Sequence, residues 1–435
     1  MYKKIFLYLI FLLFLSCAST GSFTAVDGDL DRSDYSGSVE LLERNKNSLY
    51  NNKDSILYYL DKGMLCHYAQ RYADSSQLLQ DGERAIEAAF TKSISQEIST
   101  YLINDNARDY GGEDYEDIYL NAFNALNYYH RGETEGAMVE IRRMNNKLQY
   151  LSSKYDTALS DLQKKALEEE RTRIPPNPNA PTKFNNSALA RYLGMLFYRG
   201  AGLQDDARID RDWLLAAFAN APTVYPYPVP SSVSGELEIP RGMARLNVIA
   251  FGGLSPVKKE HVTRIPLPGG NWIKIALPEM VSRHSDIQKV ELIFDGGSGF
   301  ELELLEDIDS VAKETFRARQ QLIYLKTIIR AVIKSAGATA LNVAANETQG
   351  DSSLVYSLFS IVTQIFAEVS EQADIRISRY FPARVYAGGV NLTPGTYSFQ
   401  IKYFNKNGKE IASVAHENMS VRENVLNLAE TVCLK

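Results

Sequence analysis

The sequence has little of what enzymes and metal sites are usually built from. Its 435 residues include only three cysteines, five histidines and two tryptophans. No Gly-x-Ser-x-Gly, His-Glu-x-x-His or phosphate-loop pattern occurs. The histidines are scattered without local grouping: His67, His130, His261, His284 and His416. We therefore predict no catalytic residue, no metal site and no cofactor, with an enzyme assembled from distant segments kept only as a third alternative.

The chain also lacks an excess of positive charge. Its formal net charge of -6 argues against nucleic acid as a partner, because phosphate binding requires a basic surface. After the first apolar run, no later one is long enough to cross a bilayer. Cys66 and Cys433 each lie in an apolar pattern, which favours two separately buried thiols over a disulfide in an oxidising compartment.

The N-terminal segment MYKKIFLYLIFLLFLSC is typical of a secretion signal. Two lysines precede an apolar run, Ile5–Leu15, that is too short to span a bilayer as a stable helix. The small residue Ser16 before Cys17 completes a pattern that resembles a bacterial lipobox, although Phe14 stands where Leu is usual. We predict that residues 1–16 are a lipoprotein signal peptide and that Cys17 is lipidated, with acyl chains such as palmitate.

Two alternatives are an ordinary secretion signal cut nearby and a membrane anchor left uncut, and both also place the remaining chain outside the cytoplasm. Two or three acyl chains would anchor the protein lastingly, at about 0.8 kcal/mol for each buried methylene. No Asp follows Cys17, where Ala18 and Ser19 stand. By resemblance to sorting in double-membraned bacteria, we expect the outer membrane and a periplasm-facing protein.

We expect residues 17–39, which are rich in Gly, Ser, Asp and Thr, to be a lipidated flexible tether. Residues 40–222 have a helical pattern, and three segments beginning at Tyr59, Asn121 and Arg191 can be laid over one another. In each, an apolar helix leads through a short polar turn to a second helix. Small residues fall where two such helices would cross: Gly63, Ala125 and Gly194 or Met195 on the first helices, and Ser75, Ala137 and Ala207 on the second.

This arrangement resembles the tetratricopeptide repeat (TPR), a helix–turn–helix unit of about 34 residues that leaves a concave groove for protein partners. An all-helical bundle is the alternative. Tyrosines, which are good interface residues, suggest a possible interaction surface at Tyr115, Tyr119, Tyr128, Tyr129 and Tyr198. The competing interpretation packs them between helices.

Residues 223–234 contain proline at alternate positions from Pro226 to Pro230 and are predicted to be a linker. Residues 235–435 show strand periodicity, with segments beginning at Ala244, Asn271, Gln288, Phe300, Thr396, Glu410 and Val425. Asn407-Gly408 predicts a hairpin turn, and the run DGGSG at 295–299 predicts a turn rather than a phosphate cradle. Glu301 and Glu303 are expected on a solvated strand face. Helices predicted at 311–335 and 354–373 complete a β-sandwich-like domain with an inserted helical pair near 307–373.

Several short blocks resemble a family of bacterial TPR-like outer-membrane lipoproteins. They are the lipobox at Cys17, the unit at 191–210, RAVIK at 330–334, ADIR at 373–376, and LTPGTY at 392–397. Ile377 stands where family members tend to carry a tryptophan. The resemblance implies no known catalysis and an envelope setting beside proteins of cell-wall synthesis or secretion. We interpret Asp374 and Arg376 as a possible structural ion pair that braces a helix-to-strand turn.

The predicted fold class is therefore α+β and multidomain, with a TPR-like helical domain followed by a β-sandwich-like domain. The predicted function is a membrane-anchored adaptor or scaffold that binds another envelope protein by protein–protein interaction. The alternative is a peptidoglycan- or lipid-binding module that uses the C-terminal β domain. The sequence alone leaves the oligomeric state and the identity of the partner open.

Overall fold

A computed structural model describes residues 22–95, 108–151, 153–154, 184–266, 272–317 and 372–435, together with isolated positions between 319 and 327. Its fold class is α+β, as predicted. The helix predicted at 354–373 lies outside these residues except for Gln372 and Ala373, which are not helical. Among the described helices, none is long and apolar enough to cross a membrane.

Helices occupy the described chain before residue 222. They are α1 (Thr24–Asp31), α2 (Tyr35–Arg44), α3 (Lys46–Leu49), α4 (Ser55–Tyr68), α5 (Tyr72–Ser95), α6 (Asp114–His130), α7 (Thr134–Leu151), α8 (Ala188–Gly200) and α9 (Gln204–Asn220). The pairs α4–α5, α6–α7 and α8–α9 pack against each other within each pair. These are the three helix pairs that the sequence predicted.

Small residues allow the two helices of a pair to cross closely. A methyl group on Gly63 would lie 2.8 Å from the Leu79 side chain, and one on Gly194 would lie 2.0 Å from the Asp210 carboxylate. The Ser75 hydroxyl donates to the carbonyl oxygen of Gly63 at 2.8 Å, which joins α5 directly to the backbone of α4. The predicted small positions therefore lie in the helix crossings.

The predicted flexible tether is wrong from residue 24 onward, because α1 and α2 are folded onto the helical core. Val26, Leu30, Val39 and Leu42 are buried there, and their burial stabilises the two helices. Asp34 caps α2 by accepting a hydrogen bond from the Gly37 amide at 2.8 Å. The high content of Gly, Ser and Asp hid the three of these apolar positions that lie within the predicted tether, Val26, Leu30 and Val39.

Strands occupy most of the described chain after residue 243. They are β1 (Ala244–Leu254), β2 (Val257–Pro266), β3 (Trp272–Val281), β4 (Lys289–Phe294), β5 (Gly299–Asp307), β6 (Pro382–Leu392), β7 (Gly395–Phe404), β8 (Glu410–Val421) and β9 (Asn427–Cys433). A helix, α10, covers 308–317 directly after β5. It is the described start of the helix that we predicted from residue 311.

Seven strands form one sheet in the order β8-β7-β4-β5-β6-β1-β9, and β2 pairs with β3 in a separate hairpin. Neighbours in the large sheet are antiparallel except β1 and β9, which are parallel. The sheet is nearly closed, with β8 and β9 close to each other. Its interior core includes Leu246, Val248 and Ala250 of β1.

The opposite face of β1 belongs to the helical core. Ile249 and Phe251 are buried in the same cluster as the helices, and so are Val385 and Ala387 of β6. One continuous apolar core therefore joins the helices to one side of the sheet. Cys66 and Cys433 are both free and buried, one in each of the two cores.

Most strand predictions are confirmed, and β2 and β6 were missed. β2 carries the charged run KKEH, and β6 contains the pair Gly388-Gly389, so neither shows clear alternation. The hairpin turn at Asn407-Gly408 is present, with Gly408 at a φ of 74°. The DGGSG run is the turn between β4 and β5, with Gly297 at a φ of 81°.

The proline-rich segment at 223–234 is packed between the helices and the sheet. Val224 and Tyr225 are buried, and the Tyr225 hydroxyl donates to the Glu306 carboxylate on β5 at 2.6 Å. A 3-10 helix, Ser231–Gly235, follows. The segment thus contributes to the joint core of the helical and strand regions.

The crossing of α8 and α9 generates a test. We expect Gly194→Ala to lower the free energy of unfolding by about 1–3 kcal/mol, because its methyl group would collide with a buried carboxylate that is ion-paired to Arg191. Gly28→Ala is the matched control, since its nearest neighbour would be 3.8 Å away and alanine favours helix α1. Urea denaturation measures both, and equal stability of the two variants would contradict the close crossing.

Candidate functional site

The inner face of the helix pairs holds an extended segment of the same chain, residues 372–381, which we call the inner segment. Helix α4 presents the buried Asp61 to it. Asp61 Oδ1 accepts from the Ser378 hydroxyl and from the Arg379 amide, each at 2.7 Å, and Oδ2 accepts from the Tyr50 hydroxyl at 2.8 Å. Burial raises the pKa of Asp61, and these three donors oppose that effect.

Helix α6 presents a second buried carboxylate, Glu116, to the same segment. Glu116 Oε1 accepts from the Ser378 amide at 2.6 Å, and Oε2 accepts from the Tyr110 hydroxyl and the Glu113 amide at 2.8 Å. Burial and the nearby charge of Glu113 raise the pKa of Glu116 to about 7. The backbone of the inner segment is thus hydrogen-bonded by side chains of two successive helix pairs.

Asp374 and Arg376 form the predicted ion pair within this segment. Arg376 Nε donates to Asp374 Oδ1 at 2.9 Å and Arg376 Nη2 donates to Oδ2 at 2.8 Å. Arg376 also donates to Asp54 Oδ1 at 3.2 Å, just before α4. Burial would raise the pKa of Asp374, but Arg376 lowers it below its usual value. The pair braces the inner segment against the helices.

Aromatic side chains complete the contact. The Phe381 ring lies 5.9 Å from the Tyr115 ring and 6.0 Å from the Phe123 ring, and the Tyr68 hydroxyl donates to the Tyr380 carbonyl at 2.8 Å. The sides of α4 and α6 that face the inner segment are therefore covered by the chain itself.

This packing corrects part of the predicted tyrosine surface. Tyr115 and Tyr119 have no exposed surface, so they are not available to a partner. Tyr128, Tyr129 and Tyr198 are partly buried, and the Tyr129 hydroxyl donates to the Leu426 carbonyl oxygen and accepts from the Leu428 amide. The structure places these residues between helices or against the loop before β9.

Two histidines meet on one carboxylate of β9, although they are 63 residues apart and showed no grouping in the sequence. His67 Nε2 lies 2.6 Å from Glu430 Oε1, and His130 Nε2 lies 2.7 Å from Glu430 Oε2. The ring of Tyr72 stacks on His130 with centroids 4.4 Å apart. This His67–Glu430–His130 cluster joins α4 and α6 to the sheet.

The hydrogen bonds around His67 indicate an imidazolium. Asn127 Nδ2 donates to the Ser75 hydroxyl at 2.9 Å, so its Oδ1 faces His67 Nδ1 as an acceptor at 2.7 Å. Both ring nitrogens of His67 then act as donors. Burial alone would lower the pKa of His67, but Glu430 and Asn127 raise it above its usual value. Burial would raise the pKa of Glu430, but His67 and His130 hold it well below its usual value.

Further buried carboxylates join α8 to the sheet. Glu306 accepts from the Ser187 hydroxyl at 2.7 Å and from the Leu189 amide at 2.9 Å, at the first turn of α8. Glu236 accepts from Arg199 of α8 and from Arg245 of β1. These groups have hydrogen-bond partners in both regions and so join α8 to the strand region.

One open groove lies on the strand region. It has a volume of about 920 Å³ and is bounded by the 3-10 helix Ser231–Gly235, the β4–β5 hairpin, the end of β6 and the start of β7. We call it the sheet groove. Glu301, which is exposed, and Glu303 both line it, and Glu303 accepts a hydrogen bond from the Ser231 amide at 2.7 Å. The predicted solvated face is thus one wall of a groove.

Within the described ranges, no cluster of three or more histidine, cysteine, aspartate or glutamate side chains is arranged to hold a metal ion. Comparison with known proteins gives no match to any family model, curated protein or solved structure. The candidate sites therefore depend on the geometry of this chain alone.

The contribution of the Asp61 hydrogen bonds to stability can be tested. We expect Asp61→Ala to lower the free energy of unfolding by about 3 kcal/mol or more, because three buried donors would lose their acceptor. Asp74→Ala is the control, since its carboxylate is half exposed in a surface ion pair and contributes about 0–1 kcal/mol. Chemical denaturation distinguishes the two, and a similar small effect for both would exclude a stabilising role for Asp61.

The His67–Glu430–His130 cluster predicts a pH dependence. The raised pKa of His67 gives stability that is complete below about 6.5 and is lost as the pH rises through its folded value. The lowered pKa of Glu430 gives stability above about 4.5 that is lost only in stronger acid. We expect His67→Gln to destabilise the fold by about 3–5 kcal/mol near pH 6, with a smaller difference from the wild type at alkaline pH.

Free energies of unfolding measured between pH 5 and pH 9 test this expectation. His284→Gln serves as the control, because the His284 side chain is 87% exposed. A difference between His67→Gln and the wild type that stays constant across this range would show that His67 is not charged in the folded protein.

Proposed function

We propose that the protein is a non-catalytic adaptor or scaffold, anchored through lipid on Cys17 in the outer membrane and facing the periplasm, that recruits another envelope protein. The observation that carries this proposal is the pair of exposed apolar side chains, Ile209 and Trp213, on one side of α9. The proposed setting is cell-wall synthesis or secretion, which follows from the resemblance of the sequence to TPR-like lipoproteins.

Large apolar side chains concentrate on and beside α9. Ile209 is 52% exposed and Trp213 is 49% exposed, and they lie one helical turn apart on the same side. Leu203 and Leu215 are also exposed, but Leu215 lies about 200° around the helix from Trp213, so Ile209 and Trp213 alone form the apolar patch on this side of α9. Such residues are normally scattered singly, and clusters mark interaction sites.

The Trp213 side chain is well placed to anchor a partner. The Arg191 guanidinium lies 5.3 Å from the centre of its ring, and Asn186 Nδ2 donates to the Trp213 carbonyl oxygen at 2.6 Å. Trp and Arg are the residues most enriched at the centres of protein interfaces. Arg191 is itself buried and paired with Asp210, so a partner with an apolar patch would meet Ile209 and Trp213 here.

In this proposal the helix pairs are TPR-like units. The small residues at the helix crossings support this assignment. The strand region is sandwich-like, supported by the one core that its bent sheet encloses. In such an array a partner commonly binds the inner face. Here that face already holds the inner segment, so we place the partner on the outer side of the last pair.

A lipid on Cys17 would hold the protein close to the membrane. Helix α1 begins at Thr24, and the six peptide units between Cys17 and Phe23 span at most about 20 Å. The partner would therefore be a protein near the same membrane surface.

The test uses a photo-crosslinking amino acid at the exposed position Ala219, at the end of α9, in cells that make the full-length protein. We expect one crosslinked envelope protein, reduced at least tenfold by the double variant Ile209→Glu/Trp213→Ala. Val425→Glu is the control, because Val425 is similarly exposed but lies in the loop before β9.

The thermal midpoint of each variant tests whether the fold is intact. We expect it to stay close to that of the wild type, because all three substituted side chains are about half exposed. Crosslinking that survives the α9 variant unchanged, or that the control also abolishes, would contradict recognition through α9.

A further inference from the structure

Strands β5 and β6 part at one end of the sheet. Their ladder ends at the pair Glu303 and Ala387. β6 nevertheless stays paired with β1 as far as Leu392, and β5 stays paired with β4 as far as Gly299. Four residues of β5, 299–302, and five of β6, 388–392, therefore face each other without a ladder between them.

A bulge in β5 explains the divergence. The register with β6 shifts between Leu304 and Glu306, and the Glu306 carboxylate is held at the start of α8 by the Leu189 amide. A bulge bends its strand and increases the local twist. The Phe300 ring then occupies the position where a side chain on Gly388 would lie, at 2.7 Å from that ideal Cβ. The packing of both strands therefore keeps these ends of β5 and β6 apart.

The parted edges border the sheet groove. Both unpaired stretches contribute to its lining, and its volume of about 920 Å³ exceeds that of several amino-acid residues. An open strand edge carries backbone N–H and C=O groups with no partner, and it is a template for an added strand. The groove therefore offers hydrogen bonds to an extended backbone.

The charge of the groove selects the side chains of a ligand. Its lining contains Asp295, Glu301 and Glu303, and Arg245 is the basic residue among the described lining residues. Arg245 is buried and donates to Glu236, to Asn391 and to the Ser232 carbonyl oxygen, so its charge is already paired within the protein. The free charge of the groove is negative, which disfavours anions.

An aromatic wall stands at the far side of the groove. The Tyr397 hydroxyl donates to the Thr393 carbonyl oxygen at 2.7 Å, and the Tyr397 ring packs edge-on against Phe294 with centroids 5.9 Å apart. A methyl group on Gly395 would lie 3.5 Å from this ring, in ordinary van der Waals contact, so the ring packs beside Gly395. The LTPGTY block at 392–397 thus fixes a flat ring, which attracts cations.

We propose that the sheet groove binds an extended basic peptide, which adds as a strand between the parted ends of β5 and β6. Its backbone pairs with the open edges, and its lysine or arginine side chains meet the carboxylates and the Tyr397 ring. The site is on the strand region and does not depend on recognition through α9. A neutral glycan would use the hydroxyl groups of the groove but not the two strand edges.

The experiment selects ligands from a phage-displayed library of random dodecamer peptides on the purified full-length protein. We expect enrichment of peptides rich in lysine and arginine. Hydrogen exchange of the complex with the strongest synthetic peptide should show protection at 299–302 and 388–392. Affinity should fall at least tenfold for Glu301→Lys, and Glu417→Lys, which makes the same charge change on an exposed residue of β8, should leave it within about twofold.

Three results would overturn the proposal. They are no enrichment of basic peptides, binding without protection of the two edges, and equal loss for the two charge variants. Chitohexaose is the glycan probe, and its binding at the groove in the absence of any selected peptide would also overturn it.

Discussion

Buried carboxylates that take their hydrogen bonds from the other half of the chain hold this structure together. Asp61 and Glu116 on the helices accept from Ser378 of the strand half, and Glu306 on the sheet accepts from Ser187 at the start of α8. A buried carboxylate without donors is strongly destabilising. Each of these groups is therefore satisfied only when the helices and the sheet are packed together, and the continuous core of Phe251, Phe381 and their helical neighbours adds apolar burial to the same contact.

This constraint decides which surfaces are open. The inner face of the helix pairs is closed by the inner segment, whose backbone is bound in the way that a helical groove would bind a partner peptide. Among the described residues, two surfaces outside this contact stand out, which are the side of α9 with Ile209 and Trp213 and the sheet groove. The first presents two apolar side chains, whereas the groove is acidic and bordered by strand edges, so they suit partners of different chemistry.

Local patterns predicted the elements well where the apolar spacing was regular. The three helix pairs and most strands follow from alternation and from small residues such as Gly63 and Gly194. The first helices were missed because their apolar residues are few and lie among Gly, Ser and Asp. Strand β6 was missed because Gly388 and Gly389 interrupt its alternation, and the reason for these glycines is the packing of Phe300 and Arg245 from other strands.

By itself, the sequence determined the fold class, the three helix pairs, most of the strands, and the ion pair of Asp374 and Arg376. Only the tertiary structure decided that Tyr115 and Tyr119 are buried, that His67 and His130 share Glu430, and that β5 and β6 part beside three carboxylates. The physical reason is the distance along the chain over which each kind of signal acts. Periodicity reports interactions within a few turns or residues, whereas these features depend on groups up to 363 residues apart whose proximity is set by packing alone.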